Sequence, residues 1–190
     1  MKRTLICTLV VFAALLGAGN RVANKTAAAY TLQYSLTTDA GTLIKVGDAA
    51  TKQYVGNFFT NPNAVTLTKG AVYIKRNGTV SFNIRLSIYS HSAGRPATLL
   101  SSSGWTAASG LSTSLAWVEF SGLSASVSAS TTYWVVLQTD AAGDGNNYVG
   151  WERESTQSYP GWSISQSSTD GTTWVNEENT GKMLKVYSGP

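Results

Sequence analysis

Apolar residues in this chain recur at every second position, not every third or fourth. The clearest case is Val80, Phe82, Ile84, Leu86 and Ile88 alternating with Ser81, Asn83, Arg85 and Ser87, a pattern that gives a strand one apolar and one polar face. The run Thr131 to Gln138 differs. Tyr133, Val135 and Leu137 point one way and Trp134 and Val136 the other, which predicts a central strand with apolar weight on both faces. Shorter runs at 31–36, 42–46, 53–59, 64–68, 71–75, 115–120, 148–153, 161–167 and 183–187 are read as further strands, punctuated by Gly, Asn, Asp and Pro. Lys69-Gly70 reads as a bend or bulge, Asn77-Gly78 as a hairpin turn, and 97–113 as a small-residue connection anchored by Trp105. No segment has a convincing helical period. Many short strands with turns between them predict an all-β protein, a single antiparallel β-sandwich of jelly-roll type.

Residues 1–29 depart from this pattern. Lys2-Arg3 precedes an apolar run from Leu5 to Gly19, shorter than the roughly 20 residues that span a bilayer and shaped like a secretory signal. Ala27-Ala28-Ala29 offers a cleavage site before Tyr30, and the alternative is a retained hydrophobic helix. The expectation is an exported protein, extracellular or at the cell surface, that meets a membrane only through this leader. The body, 30–190, is then one sandwich domain with an N-terminal arm at 30–41. Cys7 is the single cysteine, so no intrachain disulfide forms and the domain relies on its core. Of fourteen basic residues, Lys2, Arg3, Arg21 and Lys25 precede Tyr30, and the remaining ten match the ten acidic residues. The body is neutral, which argues against a nucleic-acid partner.

Candidate chemistry is sparse. His91 is the lone histidine, in a stretch read as a surface turn, and with no second histidine or nearby cysteine it makes no nucleophile–base pair. Glu152 and Glu154 share a strand face by the i, i+2 rule and read as the solvated side of an edge strand, not as a glycosidase pair. These features predict a protein that is not an enzyme and needs no cofactor. Asp140, Asp144 and Asn146 lie in a Gly/Asp/Asn loop whose oxygens suit Ca²⁺, although the loop lacks the regular calcium-binding register and also reads as a plain turn. Tyr148, Trp151, Tyr159, Trp162 and Trp174 fall among polar turns, where exposed flat rings would stack on sugars. Trp105, Trp117 and Trp134 are assigned to packing. Sequons stand at Asn24 and Asn77.

From about Tyr54 to Tyr187 the order of motifs Arg85-Leu86-Ser87-Ile88-Tyr89, Gly94-Arg95-Pro96, Trp117-Val118-Glu119-Phe120, Thr132 to Leu137, Ser168 to Trp174 and Leu184-Lys185-Val186-Tyr187 resembles the jelly-roll-like sandwich domains of choice-of-anchor-type bacterial, archaeal and phage surface proteins. The resemblance implies a sandwich fold and an adhesive, carbohydrate-binding or structural role, among which a fold does not choose. The function expected first is a structural or self-assembling surface subunit whose partners are copies of itself, with Tyr30, Leu32, Tyr34 and Leu36 forming an arm that adds as a strand to a neighbour. The alternative is a glycan-binding or adhesive module using the aromatic residues above.

Overall fold

The computed structural model describes residues 29–155 and 165–189. Its strands are β1 (Thr31–Leu36), β2 (Asp39–Val46), β3 (Tyr54–Asn61), β4 (Val65–Asn77), β5 (Asn83–Ser92), β6 (Arg95–Ser102), β7 (Thr106–Ala107), β8 (Ala116–Val127), β9 (Thr131–Thr139), β10 (Tyr148–Glu154), β11 (Ser165–Ser168), β12 (Trp174–Glu178), β13 (Gly181–Lys182) and β14 (Leu184–Ser188). Short 3-10 turns occupy Ala50–Lys52 and Ala108–Gly110. Tyr159, Trp162 and the leader lie outside the described residues.

These strands build two antiparallel sheets stacked as a sandwich, the all-β architecture expected from the alternation. In the first sheet β1, β14, β4 and β8 are successive neighbours. The far end of β4 pairs instead with β10, which carries β2 on its other side and β13 at its end. The second sheet runs β12-β11-β3-β9-β5-β6, with β7 also on β5. Apolar residues of the two sheets meet between them: Val72, Ile74, Phe120, Val149, Trp151 and Leu184 from one side, Val55, Phe59, Leu86, Ile88, Val135 and Leu137 from the other, all buried, and among them Phe120, Leu86, Ile88, Val135 and Leu137 belong to the alternating sets predicted from sequence.

A second apolar cluster holds Phe58, Tyr89, Trp134, Val136 and Trp174. Because side chains alternate along a strand, it sits on the opposite face of the second sheet from Phe59, Val135 and Leu137. Phe58 and Trp134 meet edge to face with centroids 5.8 Å apart. The His91 ring stacks on Trp134, and the indole Nε1 donates to His91 Nδ1 at 3.0 Å. His91 thus ends β5 as a packed residue, where a surface turn was expected.

Three other expectations change. Asn77-Gly78 is no hairpin, because β4 belongs to the first sheet and β5 to the second, so the pair is a crossover. Gly78 has φ +66°, and a Cβ there would run into the Asn146 carbonyl and the Asn147 side chain, so the crossing needs glycine twice over. Lys69-Gly70 does not divide two strands; β4 runs on through it with a register shift against β8 between Leu67 and Lys69. Gly70 lies where any side chain would collide with Leu86 of the facing sheet, a close approach of the kind that glycine permits. Residues 95–102 form β6 where a connection was read, since most of β6 is exposed and no apolar alternation marks it.

The second cluster is expected to stabilise the fold as a core does. Trp134→Ala should lower unfolding free energy by about 3–5 kcal/mol, measured by urea titration; a loss below about 1 kcal/mol would mean that this face is not tightly packed.

Candidate functional site

Of the aromatic platform anticipated in the last third of the chain, the two described tryptophans are not at the surface. Trp151 is fully buried in the inter-sheet core, and its Nε1 donates to the Met183 carbonyl at 2.8 Å. Trp174 is buried too, its ring edge-on to Tyr54 and Tyr89 at 6.3 and 5.9 Å, with Nε1 lacking a hydrogen-bond partner. Only the half-buried Tyr148 remains near solvent among the described members, under Lys45 Nζ at 4.5 Å from its ring. The reason is strand register. Trp151 points from β10 into the space between the sheets and Trp174 from β12 into the cluster on the outer face of the second sheet, and turn residues nearby say nothing about which face a strand residue takes.

The calcium expectation fares similarly. Asp144 Oδ1 accepts from the backbone N–H groups of Asn146 and Asn147 at 2.8 and 3.0 Å, and both its oxygens accept from the Asn147 amide. Asp140 binds the backbone and amide of Asn83. The Asn146 carbonyl receives the Asn77 amide at 2.7 Å, and Asn147 Oδ1 receives the Thr79 N–H at 2.7 Å. These oxygens fasten the loop to the inter-sheet crossover, which also engages Asn77 of the second sequon. Among the described residues no group of three or more His, Cys, Asp or Glu side chains is placed to hold a metal ion.

Glu152 and Glu154, expected on a solvated face, are each 1% exposed and separated by a register shift against β2. Glu152 accepts the Thr42 N–H at 2.8 Å. Burial, together with the hydrogen-bonded Asp39 carboxyl beside it, pushes Glu152 up to about 7, while the Gly41 N–H and the shared hydrogen bond hold Asp39 low. The pair is a proton-sharing clasp where β2 begins.

The arm is an edge strand of its own sheet. Thr31 to Leu36 pairs with β14, Gln33 Nε2 donates to Ser188 Oγ at 2.8 Å, and Tyr34 lies 5.7 Å from the Phe59 ring. Tyr34 and Leu36 pack against the core, whereas Tyr30 and Leu32 are 42% and 50% exposed. The opposite edge of the same sheet is β8, whose ladder partner among the described residues is β4 alone. Its second half lies against β6, where the Ser124 N–H donates to Ser101 Oγ. Its first half opens on a cleft of about 180 Å³ between Glu119 to Ser121 and the loop carrying Trp105.

Trp105, assigned to packing from sequence, is 44% exposed and stacks under the Arg85 guanidinium at 4.3 Å. The signal was its setting: a large ring isolated among Ser, Gly, Thr and Ala has no alternating neighbours to draw it inward. A scan against protein-family models finds no match, and no curated protein is significantly similar to the chain.

The clasp generates a pH test. Glu152 binds a proton in the folded state up to about 7 that the unfolded chain releases near 4.5. Its stabilisation is therefore full below 4.5 and lost as pH rises through about 7. Glu152→Gln keeps the shape without the charge, and relative to the parent it should hold its melting temperature better between about pH 5 and pH 8. Parallel melting curves for the two proteins across that range would show that the clasp titrates elsewhere.

Proposed function

We propose that this is an exported, non-enzymatic surface subunit that assembles with copies of itself by edge-to-edge strand addition. The observation that supports it most is that the first sheet has two open edges, β1 along its length and β8 along its first half. Proteins that stay monomeric blunt such edges with lysines, prolines or strong bulges. β1 has no charge and no proline and bears one register shift; the open first half of β8 has a single charge, Glu119, already paired with Lys69 at 3.0 Å, and the bulge of β8 lies beyond it, between Ser121 and Ala125.

Strand direction favours the same reading. β1 is antiparallel to β14, β14 to β4, and β4 to β8, so β1 and β8 run in opposite senses. A copy displaced along the sheet therefore brings its β1 antiparallel to the β8 of its neighbour, continuing the existing ladder. The arm stays on its own β14, and Trp105 lies beside the receiving edge. Four strands per copy at about 4.8 Å give a step of about 19 Å, and right-handed twist turns each copy by about 80–100°. The contact is heterologous and does not close, which yields a filament. The resemblance to surface sandwich domains and the signal-like leader agree with this role.

Deleting residues 30–36 is a poor test, because it strips Tyr34 from Phe59. Leu32→Lys instead charges an exposed edge position. Negative-stain images of the parent should show filaments, and Leu32→Lys should give monomers with its melting temperature within about 2 °C of the parent. A parent that is monomeric at high concentration, or a variant that still polymerises, would sink the mechanism.

A further inference from the structure

The solvent side of the first sheet gathers cations. On β4, Gly70, Val72 and Ile74 face the other sheet, so Lys69, Tyr73 and Lys75 face away. Their neighbours across the ladders, Trp117 and Glu119 of β8 and Lys185 and Tyr187 of β14, lie on the same side. Lys45 follows on β2, in one row with Gly150 and Lys75.

Three of the four ammoniums rest on aromatic rings. Lys185 Nζ is 4.0 Å from the Trp117 ring centre, Lys45 is 4.5 Å from that of Tyr148, and Lys69 is 4.1 and 4.5 Å from those of Tyr30 and Tyr187. Across β14, β4 and β8 the one carboxylate is Glu119, which takes Lys69. Beyond it, Asp39 and Glu152 sit on β2 and β10, engaged with each other. Elsewhere Lys52 pairs with Glu177, and Arg153 and Lys182 share Glu178, while Arg76 and Arg85 are held by carbonyl and amide oxygens and not by carboxylates. On a body with equal numbers of acids and bases, this face keeps Lys75, Lys185 and Lys45 without a carboxylate.

We infer that this face docks an acidic polysaccharide, its carboxylates or sulfates met by Lys45, Lys75 and Lys185. Aromatic beds hold the ammoniums in place before a ligand arrives, which reduces the ordering entropy that flexible lysines otherwise lose on binding. The same beds disfavour single-stranded nucleic acid, because that ligand needs open ring faces for its bases and here lysines cover them. All three lysines belong to one chain, so the inference does not depend on assembly; in a filament built along this sheet the face would repeat and bind multivalently.

The test uses the purified protein with oligogalacturonate as a carboxylate probe, dextran sulfate as a sulfate probe, and uncharged dextran and single-stranded DNA for comparison, by calorimetry at low and physiological ionic strength. At least one acidic glycan should bind, weaken with salt, and lose about tenfold or more in affinity with Lys75→Gln combined with Lys185→Gln. Lys52→Gln, whose lysine pairs with Glu177 on β12 of the other sheet, should leave binding unchanged, and melting curves should show both variants folded. The inference is overturned if neither acidic glycan binds, if the double variant binds as the parent does, or if DNA binds more tightly than both.

Discussion

Because β9 carries Tyr133, Val135 and Leu137 on one face and Trp134 and Val136 on the other, all buried, the second sheet is apolar on both sides. That requirement organises the molecule. The inner face is met by the first sheet through a core whose members alternate along every long strand. The outer face holds its own cluster, with Phe58 and Tyr89 supplied by the strands flanking β9 and Trp174 by β12. Polar side chains there are tied into a chain: Arg85 Nε donates to Gln138 Oε1 at 2.6 Å, and Gln138 Nε2 donates to the Tyr89 hydroxyl at 3.1 Å. A buried amide is tolerated when both its ends are used in this way.

The first sheet faces the opposite constraint. Only its inner side is committed to the core, so much of its outer side, its β1 edge and the first half of its β8 edge are not enclosed by the rest of the fold. This division follows from sequence to fold without any special motif: strands with apolar residues on both faces are enclosed, and strands with one apolar face are left half open. What distinguishes this molecule is how the open side is filled, with lysines laid on tyrosine and tryptophan rings.

Legibility followed the range of the interaction. The alternation at Val80 to Ile88 and the two-faced run at Tyr133 to Leu137 are local, and both survived into the structure as core positions. Which sheet a strand joins is not local. Asn77-Gly78 has the composition of a hairpin, yet it spans two sheets because β4 finds its partners in β8, β10 and β14, far away in sequence. Burial is equally nonlocal for short strands: Trp151 and Trp174 lie next to turns but are buried, one between the sheets and one in the outer cluster, while Trp105 lies in a loop and is 44% exposed. The acidic pair failed for the same reason: both glutamates are buried, and the cover over Glu152 comes from β2, more than a hundred residues away, whose Thr42 N–H it accepts.

Charge placement separates the ends of the sandwich by chemistry as well as position. Lys182 is fully buried and donates to Glu178 Oε1 at 2.6 Å and to the Thr180 carbonyl at 2.7 Å. Desolvation lowers it to about 8 even with Glu178 beside it. Burial alone would raise Glu178, but Arg153 and Lys182 together hold it low. A buried ion pair of this kind adds little over an apolar replacement, although breaking it leaves a stranded charge. It fixes how β12 and β13 meet the end of β10, with one carboxylate shared between two cations. Lys75 and Lys185 lie under the reverse conditions: partly exposed, facing no carboxylate, and on strands held by ladders that do not need their charge. Removing either charge leaves no buried partner stranded. A charge that the fold does not require, repeated along one face of an otherwise neutral body, is explained more simply by what approaches that face than by what lies beneath it.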